Sequence, residues 1–282
     1  MRKIFWLALL LFSSKVTVDQ LQTVELIREV SPAKAQAAQA FVAQPPASPD
    51  IYFTDISPDE LMKHAKLSTV PMVVLFYEPN NKACDQQLAS IQDVGRGWLK
   101  HLRFYRLNTA KHKIVSPVPM TIFLQPDSTG YPVLLNQSGK LMNRTQTHDF
   151  MTAALKLVKS TPVQSAHPRL PEIAGESIAD AVIANNCPAV VLFIEEGSFT
   201  GILSEQVLME GASKYNQQAM FFRCTDGVMG GFIPGHRPST YSFKQKADGV
   251  NIAVEQVYGL LTRENMEKLL KKLPAASPNN KP

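Results

Sequence analysis

The chain states one pattern twice. Pro71-Met72-Val73-Val74-Leu75-Phe76-Tyr77-Glu78 returns 117 positions later as Pro188-Ala189-Val190-Val191-Leu192-Phe193-Ile194-Glu195. Phe104-Tyr105-Arg106 returns at the same offset as Phe221-Phe222-Arg223, and Val118-Pro119-Met120-Thr121 is matched at 119 by Arg237-Pro238-Ser239-Thr240. Three landmarks in one order at nearly one spacing imply two copies of one domain, each of about 110 residues. The 282 residues leave room for both, each large enough to bury its own core.

Composition narrows the class. Apolar residues make up 45% and charged residues 19%, the balance of a globular protein. The net charge is +5, two units of which are Arg2 and Lys3. That is too little, and too scattered, for a phosphate-binding stripe, so nucleic acid is excluded as the expected partner. Lys111-His112-Lys113 is the densest basic cluster and reads as a solvated loop.

The N-terminus reads as an export signal. Arg2-Lys3 precedes nine apolar residues, Ile4 to Phe12, and then Ser13-Ser14. Nine helical residues span about 14 Å against a bilayer core of roughly 30 Å, right for a signal-peptide core and too short to cross. Residues 1–14 are thus expected to be a signal peptide or an uncleaved anchor, the only membrane association expected. Residues 15–50, rich in Ala, Gln and Pro from Ala33 on, are expected to be a flexible spacer. This pairing suggests a periplasmic protein. The alternative is a eukaryotic secretory lumen, where Asn136-Gln137-Ser138 and Asn143-Arg144-Thr145 would fit glycan acceptors.

Within the first copy, residues 51–160, Ser57-Pro58-Asp59-Glu60 has the pattern of a capping box. A short helix to about Ala65 should follow it. Pro71–Tyr77 reads as a strand buried on both faces, Cys84–Leu99 as a helix, Leu102–Leu107 as a strand, and Met120–Leu124 with Val133–Leu135 as a hairpin. A helix from Thr147 to Lys159 closes the copy. A proline-bearing linker, residues 161–174, leads to the second copy, residues 175–274. There the expected order is helix Ser177–Ala184, strand Ala189–Ile194, helix Leu203–Tyr215, strand Met220–Cys224, strand Ser239–Phe243, a turn at Ala247-Asp248-Gly249, strand Ile252–Val257 and helix Thr262–Leu273. Residues 275–282 are expected to be a disordered tail.

This order resembles the thioredoxin family. Phe76-Tyr77-Glu78-Pro79 is similar to that family's lead-in to Trp-Cys-x-x-Cys, Val118-Pro119-Met120-Thr121 to its cis-proline turn, and Tyr258 through Glu264 to its final strand-to-helix passage. The resemblance implies an α/β fold of two thioredoxin-like domains, each a central mixed β-sheet flanked by helices. It also implies that the cis-proline turns, Val118-Pro119 and Arg237-Pro238, offer main chain to an extended peptide.

The family's redox chemistry needs two thiols at one helix N-terminus, the first attacking as thiolate. Laid on this chain, the attacking position is Asn81 and the resolving one Cys84; in the second copy they are Ser198 and Gly201. An amide offers no nucleophile, and a serine without an adjacent base is inert. Cys84 remains as a weak catalytic candidate, read first as a packed thiol. Cys187 and Cys224 are staggered by more than about 10 Å along neighbouring strands, too far for a disulfide. The six histidines show no ligand spacing, so neither metal nor cofactor is expected. His236 and Arg237, next to the second turn, read as a polar loop with a lesser case for facing a ligand.

The expected function is therefore an exported, redox-inactive protein-binding module, scaffold or chaperone-like, in a cell-envelope assembly such as a secretion system. Its partners would be other proteins, held through Asn81, Val118, Pro119, Ser198, Arg237 and Pro238. The alternative is a monothiol oxidoreductase or isomerase acting through Cys84. A luminal calcium-storage role needs an acidic excess that this chain lacks.

Overall fold

Continuous apolar runs become the central strands. In a computed structural model of the chain, which describes residues 53–68, 70–127, 129–160, 168–226, 237–245 and 251–273, Met72 to Phe76 and Ala189 to Phe193 are each at most 1% exposed. The proposed export segment, the Ala/Gln/Pro-rich spacer, the turn at residues 247–249, His236 and the tail 275–282 lie outside the described residues.

The first copy runs β1 (Thr54–Asp55), α1 (Pro58–Leu67), β2 (Met72–Tyr77), α2 (Lys82–Gly95), a 3-10 turn (Arg96–Trp98), β3 (Arg103–Asn108), β4 (Met120–Pro126), β5 (Pro132–Ser138) and α3 (Arg144–Ser160). Its sheet has the order β1-β3-β2-β4-β5, with β1, β3 and β2 parallel and β4 and β5 antiparallel. The expected capping box is present: Ser57 accepts from the Glu60 amide, and Glu60 accepts from the Ser57 amide.

The second copy runs through a 3-10 turn (Gly175–Ser177), α4 (Ile178–Asn185), β6 (Ala189–Phe193), α5 (Phe199–Tyr215), β7 (Met220–Cys224), β8 (Ser239–Gln245), β9 (Asn251–Tyr258) and α6 (Arg263–Lys271). Its sheet has the order β7-β6-β8-β9 with the same mixture of directions. The fold is thus α/β with two thioredoxin-like domains, each a mixed sheet flanked by helices.

Short β1, absent from the sequence reading, has a counterpart in the second copy. Asp55 pairs with Arg106 in the sheet, and at an offset of 117 Glu172 makes an isolated bridge to Arg223. The ion pair is repeated too: Arg106 Nε to Asp55 at 2.8 Å and Arg223 to Glu172 at 2.7 Å.

Alternation along the strands sorts the core. Val73 and Leu75 face α2 and α3 beside Ile91, Phe123 and Met151. Ala189, Val191 and Phe193 face α4 beside Ile178 and Val182. The other faces, Met72, Val74 and Phe76 from the first sheet and Val190 and Leu192 from the second, share one cluster with Leu203, Val207 and Leu208 of α5. The copies therefore do not each keep a core apart, as length alone suggested. Helix α5 packs against elements of both, so its buried residues are not confined to a single stripe. Gln206 on α5 accepts from Leu134 N–H at 2.7 Å and donates to the Pro132 carbonyl at 2.8 Å, so it caps the edge of β5. Glu205, 4% exposed, accepts from Leu170 N–H at 3.0 Å and stands 4.0 Å from Arg223 Nε, which ties the end of the linker to α5.

Helix α5 starts four residues before the expected Leu203. Ser198 caps it, and burial of Phe199 and Ile202 overrides the poor helix propensity of Phe199-Thr200-Gly201.

Candidate protein-binding site

The ends of β2 and β6 lead into the helices that the resemblance marks as functional. After Tyr77 the chain turns through Asn80, at φ 62°, a left-handed conformation that asparagine tolerates. Asn81 is then the N-cap of α2: its Oδ1 accepts from Ala83 N–H at 3.0 Å and from Cys84 N–H at 3.4 Å. The second copy repeats this at an offset of 117. Gly197 takes φ 75°, and Ser198 Oγ caps α5 by accepting from Gly201 N–H at 3.2 Å.

At both places where the resemblance puts an attacking thiol, a side-chain oxygen takes up the helix-end donors that would stabilise a thiolate. Cys84, 2% exposed, lies behind the first cap. Burial, with the charges of Glu78 and Asp85, pushes its thiol pKa up, outweighing a lowering hydrogen bond from the Glu78 main chain. The proton stays on sulfur near neutral pH. In the second copy a β-carbon on Gly201 would come within 2.5 Å of Ser198 Oγ and 3.2 Å of Ile194 Cβ, so a side chain there would displace the cap.

Cys84, Cys187 and Cys224 are free thiols. Cys224 Sγ is 3.0 Å from Asp226 Oδ1 and Cys187 Sγ is 3.9 Å from the Gln218 carbonyl. Among the described residues, no group of three or more His, Cys, Asp or Glu side chains is placed to hold a metal.

Val118-Pro119 and Arg237-Pro238 are both cis peptides. Their surroundings differ. Val118 is half-buried, and among the described residues no protein group hydrogen-bonds its main chain. Pro238 is buried; its carbonyl accepts from Gly259 N–H at 2.8 Å, and the next amide, Leu260 N–H, donates to Val115 O of the first copy, also at 2.8 Å. The backbone at Gly259 has φ 77°, and a β-carbon there would stand 2.0 Å from the Val115 carbonyl oxygen, so the approach requires glycine. Phe76 and Phe199 stack at 6.4 Å across the same junction. Arg237 turns inward, its Nη1 donating to the Thr225 carbonyl at 3.2 Å.

Of the expected partner-binding residues, Asn81 and Ser198 are thus helix caps. The second turn adjoins a segment covered by the first copy, and among the described residues the main chain of Val118 has no hydrogen-bond partner. The sequence reading missed the cluster below the first loop. Asp55 takes a bidentate contact from Arg106 at 2.8 and 2.9 Å and a hydrogen bond from Tyr77 at 3.1 Å, and Arg106 lies 5.5 Å from the Tyr77 ring centroid. The Arg106 guanidinium holds the Asp55 carboxyl below its ordinary pKa. The signal was available, since Asp55 and Glu172 keep the same offset of 117 as Arg106 and Arg223.

No protein-family model matches the chain, and no curated protein matches it. Solved structures do. Chloroplastic thioredoxin z is 9% identical over 39% of this chain and 97% of its own, with a TM-score of 0.33. Trichomonas vaginalis thioredoxin is 15% identical over 39% of this chain and 99% of its own, with a TM-score of 0.31. ERdj5 in crystal form II is 13% identical, with a TM-score of 0.31; the match covers 79% of this chain but only 29% of that one. The strand orders, rather than these distant likenesses, make the fold thioredoxin-like.

Proposed function

We propose that this chain is an exported, redox-inactive pair of thioredoxin-like domains with degenerate Cys-x-x-Cys sites, which binds other proteins. The observation that carries the reading is the double cap: Asn81 and Ser198 accept helix-end N–H groups at the two places where an attacking thiolate would be stabilised. The protein-binding surface centres on Asn81 and the Val118-Pro119 turn. Ser198, Arg237 and Pro238 form the equivalent surface of the second copy, beside which the first copy sits. The partners are client polypeptides or subunits of a cell-envelope assembly such as a secretion system, in the periplasm. Nucleic acid is not among them, and any membrane contact runs through residues 1–14. Among the described residues no helix is long and apolar enough to cross a membrane.

The rival is a monothiol oxidoreductase working through Cys84. Burial of that thiol and its upward-shifted pKa argue against it. Reduction of insulin by the full chain, followed by turbidity with dithiothreitol as the electron source, tests the choice. A rate equal to the dithiothreitol blank is expected. Turnover that disappears in Cys84→Ser would establish the rival.

A further inference from the structure

At the end of its sheet away from the caps, the first copy carries charge that the fold does not require. Arg103 opens β3 beside Met72, the first residue of β2, whereas Asn81 follows the other end of β2. The strand between them puts the two places about 17 Å apart. From Val94 to Pro126 the chain holds six Lys and Arg residues and no Asp or Glu. Three of them, Arg96, Lys100 and Arg103, lie in or beside the turn that joins α2 to β3. All three are exposed, and among the described residues none makes an ion pair. The acid nearest before them, Asp93, is taken by Arg144 at 2.9 Å. Leu99, between Arg96 and Arg103, is 37% exposed, while Trp98 is half-buried with its ring 6.4 Å from that of His148.

The second copy makes the same turn without the charge. His101 and Leu102 N–H donate to the Trp98 carbonyl at 2.8 and 2.9 Å, as Gln218 and Ala219 N–H donate to the Tyr215 carbonyl at 2.8 and 3.2 Å. Arg103 N–H donates to the Pro71 carbonyl at 3.0 Å, as Met220 N–H donates to the Pro188 carbonyl at 2.8 Å. At the offset of 117, Arg96, Leu99, Lys100 and Arg103 become Ser213, Asn216, Gln217 and Met220. A cation favours a helix C-terminus, which accounts for Arg96 at the end of α2. Lys100 and Arg103 lie beyond that last turn, and nothing in the packing calls for them.

We propose that this basic turn binds an acidic segment of a partner protein, whose carboxylates pair with Arg96, Lys100 and Arg103 while an apolar residue among them meets Leu99. Exposed cations with no acid beside them make a positive field that carboxylates complement. A lipid surface fits less well, because Trp98 is held against His148 and leaves little to insert. Three cations are too few for nucleic acid. The inference rests on the protein-binding reading, names the partner's chemistry and places it away from the capped loop.

The test is a titration of the 15N-labelled full chain with the peptide acetyl-Glu-Asp-Glu-Leu-Glu-Asp-Glu-amide, beside the same peptide with Gln for Glu and Asn for Asp. Saturable shifts at Leu99, Lys100 and Arg103 are expected, with Asn216, Gln217 and Met220 unmoved and no response to the neutral peptide. The variant with Arg96→Ser, Lys100→Gln and Arg103→Met carries residues that the same turn holds in the second copy, so it should unfold at the parent's temperature. It should bind the acidic peptide about tenfold more weakly, because three exposed pairs each contribute a small factor. Undiminished binding by this variant would overturn the inference. Shifts confined to Asn81 through Cys84 or to Val118 would also overturn it and leave the protein-binding reading standing. Tighter binding to vesicles of phosphatidylglycerol and phosphatidylcholine in equal parts than to the peptide would overturn it in favour of a lipid surface. No shift anywhere at millimolar peptide would overturn it too, without touching the redox-inactive reading, which insulin reduction tests separately.

Discussion

Asn81→Cys separates the two roles of one position. Asn81 now caps α2 through contacts of 3.0 and 3.4 Å to the Ala83 and Cys84 amides. Removing a cap costs about 0.5–2 kcal/mol, and the length of the second contact points to about 1 kcal/mol here. For a folded unit of this size that is a fall in Tm of about 2–4 °C. The same change frees those amides to stabilise a thiolate one turn before Cys84, the arrangement that lowers a thiol pKa from about 8.5 to 7.5 or below. The introduced thiolate would attack a substrate disulfide, Cys84 would displace the reduced substrate by closing an intramolecular disulfide, and dithiothreitol would return both thiols. The variant should therefore gain insulin reduction over the dithiothreitol blank while melting slightly earlier. Asn81→Ser, which keeps a capping oxygen, should do neither. If Asn81→Cys folds but neither forms the disulfide nor alkylates with a midpoint below about 8.5, the capped-site explanation for lost chemistry is wrong.

Two further changes test the junction and the lower cluster. Gly259→Ala puts a methyl 2.0 Å from the Val115 carbonyl at a backbone φ of 77°. Left-handed strain of about 1–2 kcal/mol and an unsatisfied Leu260 N–H worth about 1–3 kcal/mol predict a loss of about 2–5 kcal/mol in urea unfolding. A loss below about 1 kcal/mol would contradict the close contact. Asp55→Asn removes a carboxyl held below its ordinary pKa, chiefly by the Arg106 hydrogen bond. The contribution of such a group is present above the unfolded value of about 3.9 and is lost as pH falls through the folded value. The variant should thus be less stable than the parent at pH 7, by under about 1 kcal/mol because Asp55 is 61% exposed, and the difference should shrink as acid protonates the Asp55 carboxyl of the folded parent.

Much of this was legible in the residues. The offset of 117 located the two central strands and the paired positions Asn81 and Ser198, and its drift to 119 located both proline turns, because backbone geometry repeats where the sequence pattern does. What escaped was tertiary. A two-residue strand such as β1 carries no periodicity, so only the ion pair at Asp55 could betray it. The start of α5 was misplaced because Thr200 and Gly201 are poor helix formers, and only burial between neighbouring elements decides against that. The sharing of α5 by both copies was readable in principle, since Phe199, Ile202, Leu203, Val207 and Leu208 leave it no wholly polar side. No pattern in the sequence announces that Val115 lies against Leu260, because that contact is made by main-chain atoms every residue has.

The most direct measurement is the alkylation rate of Cys84 in the folded chain as a function of pH, with the modified peptide identified by mass spectrometry so that Cys187 and Cys224 do not interfere. A protonated, buried thiol behind an asparagine cap predicts slow modification with no midpoint below about 8.5, accelerating on unfolding. Rapid modification with a midpoint at or below neutrality would show a stabilised thiolate at this helix end and contradict the account.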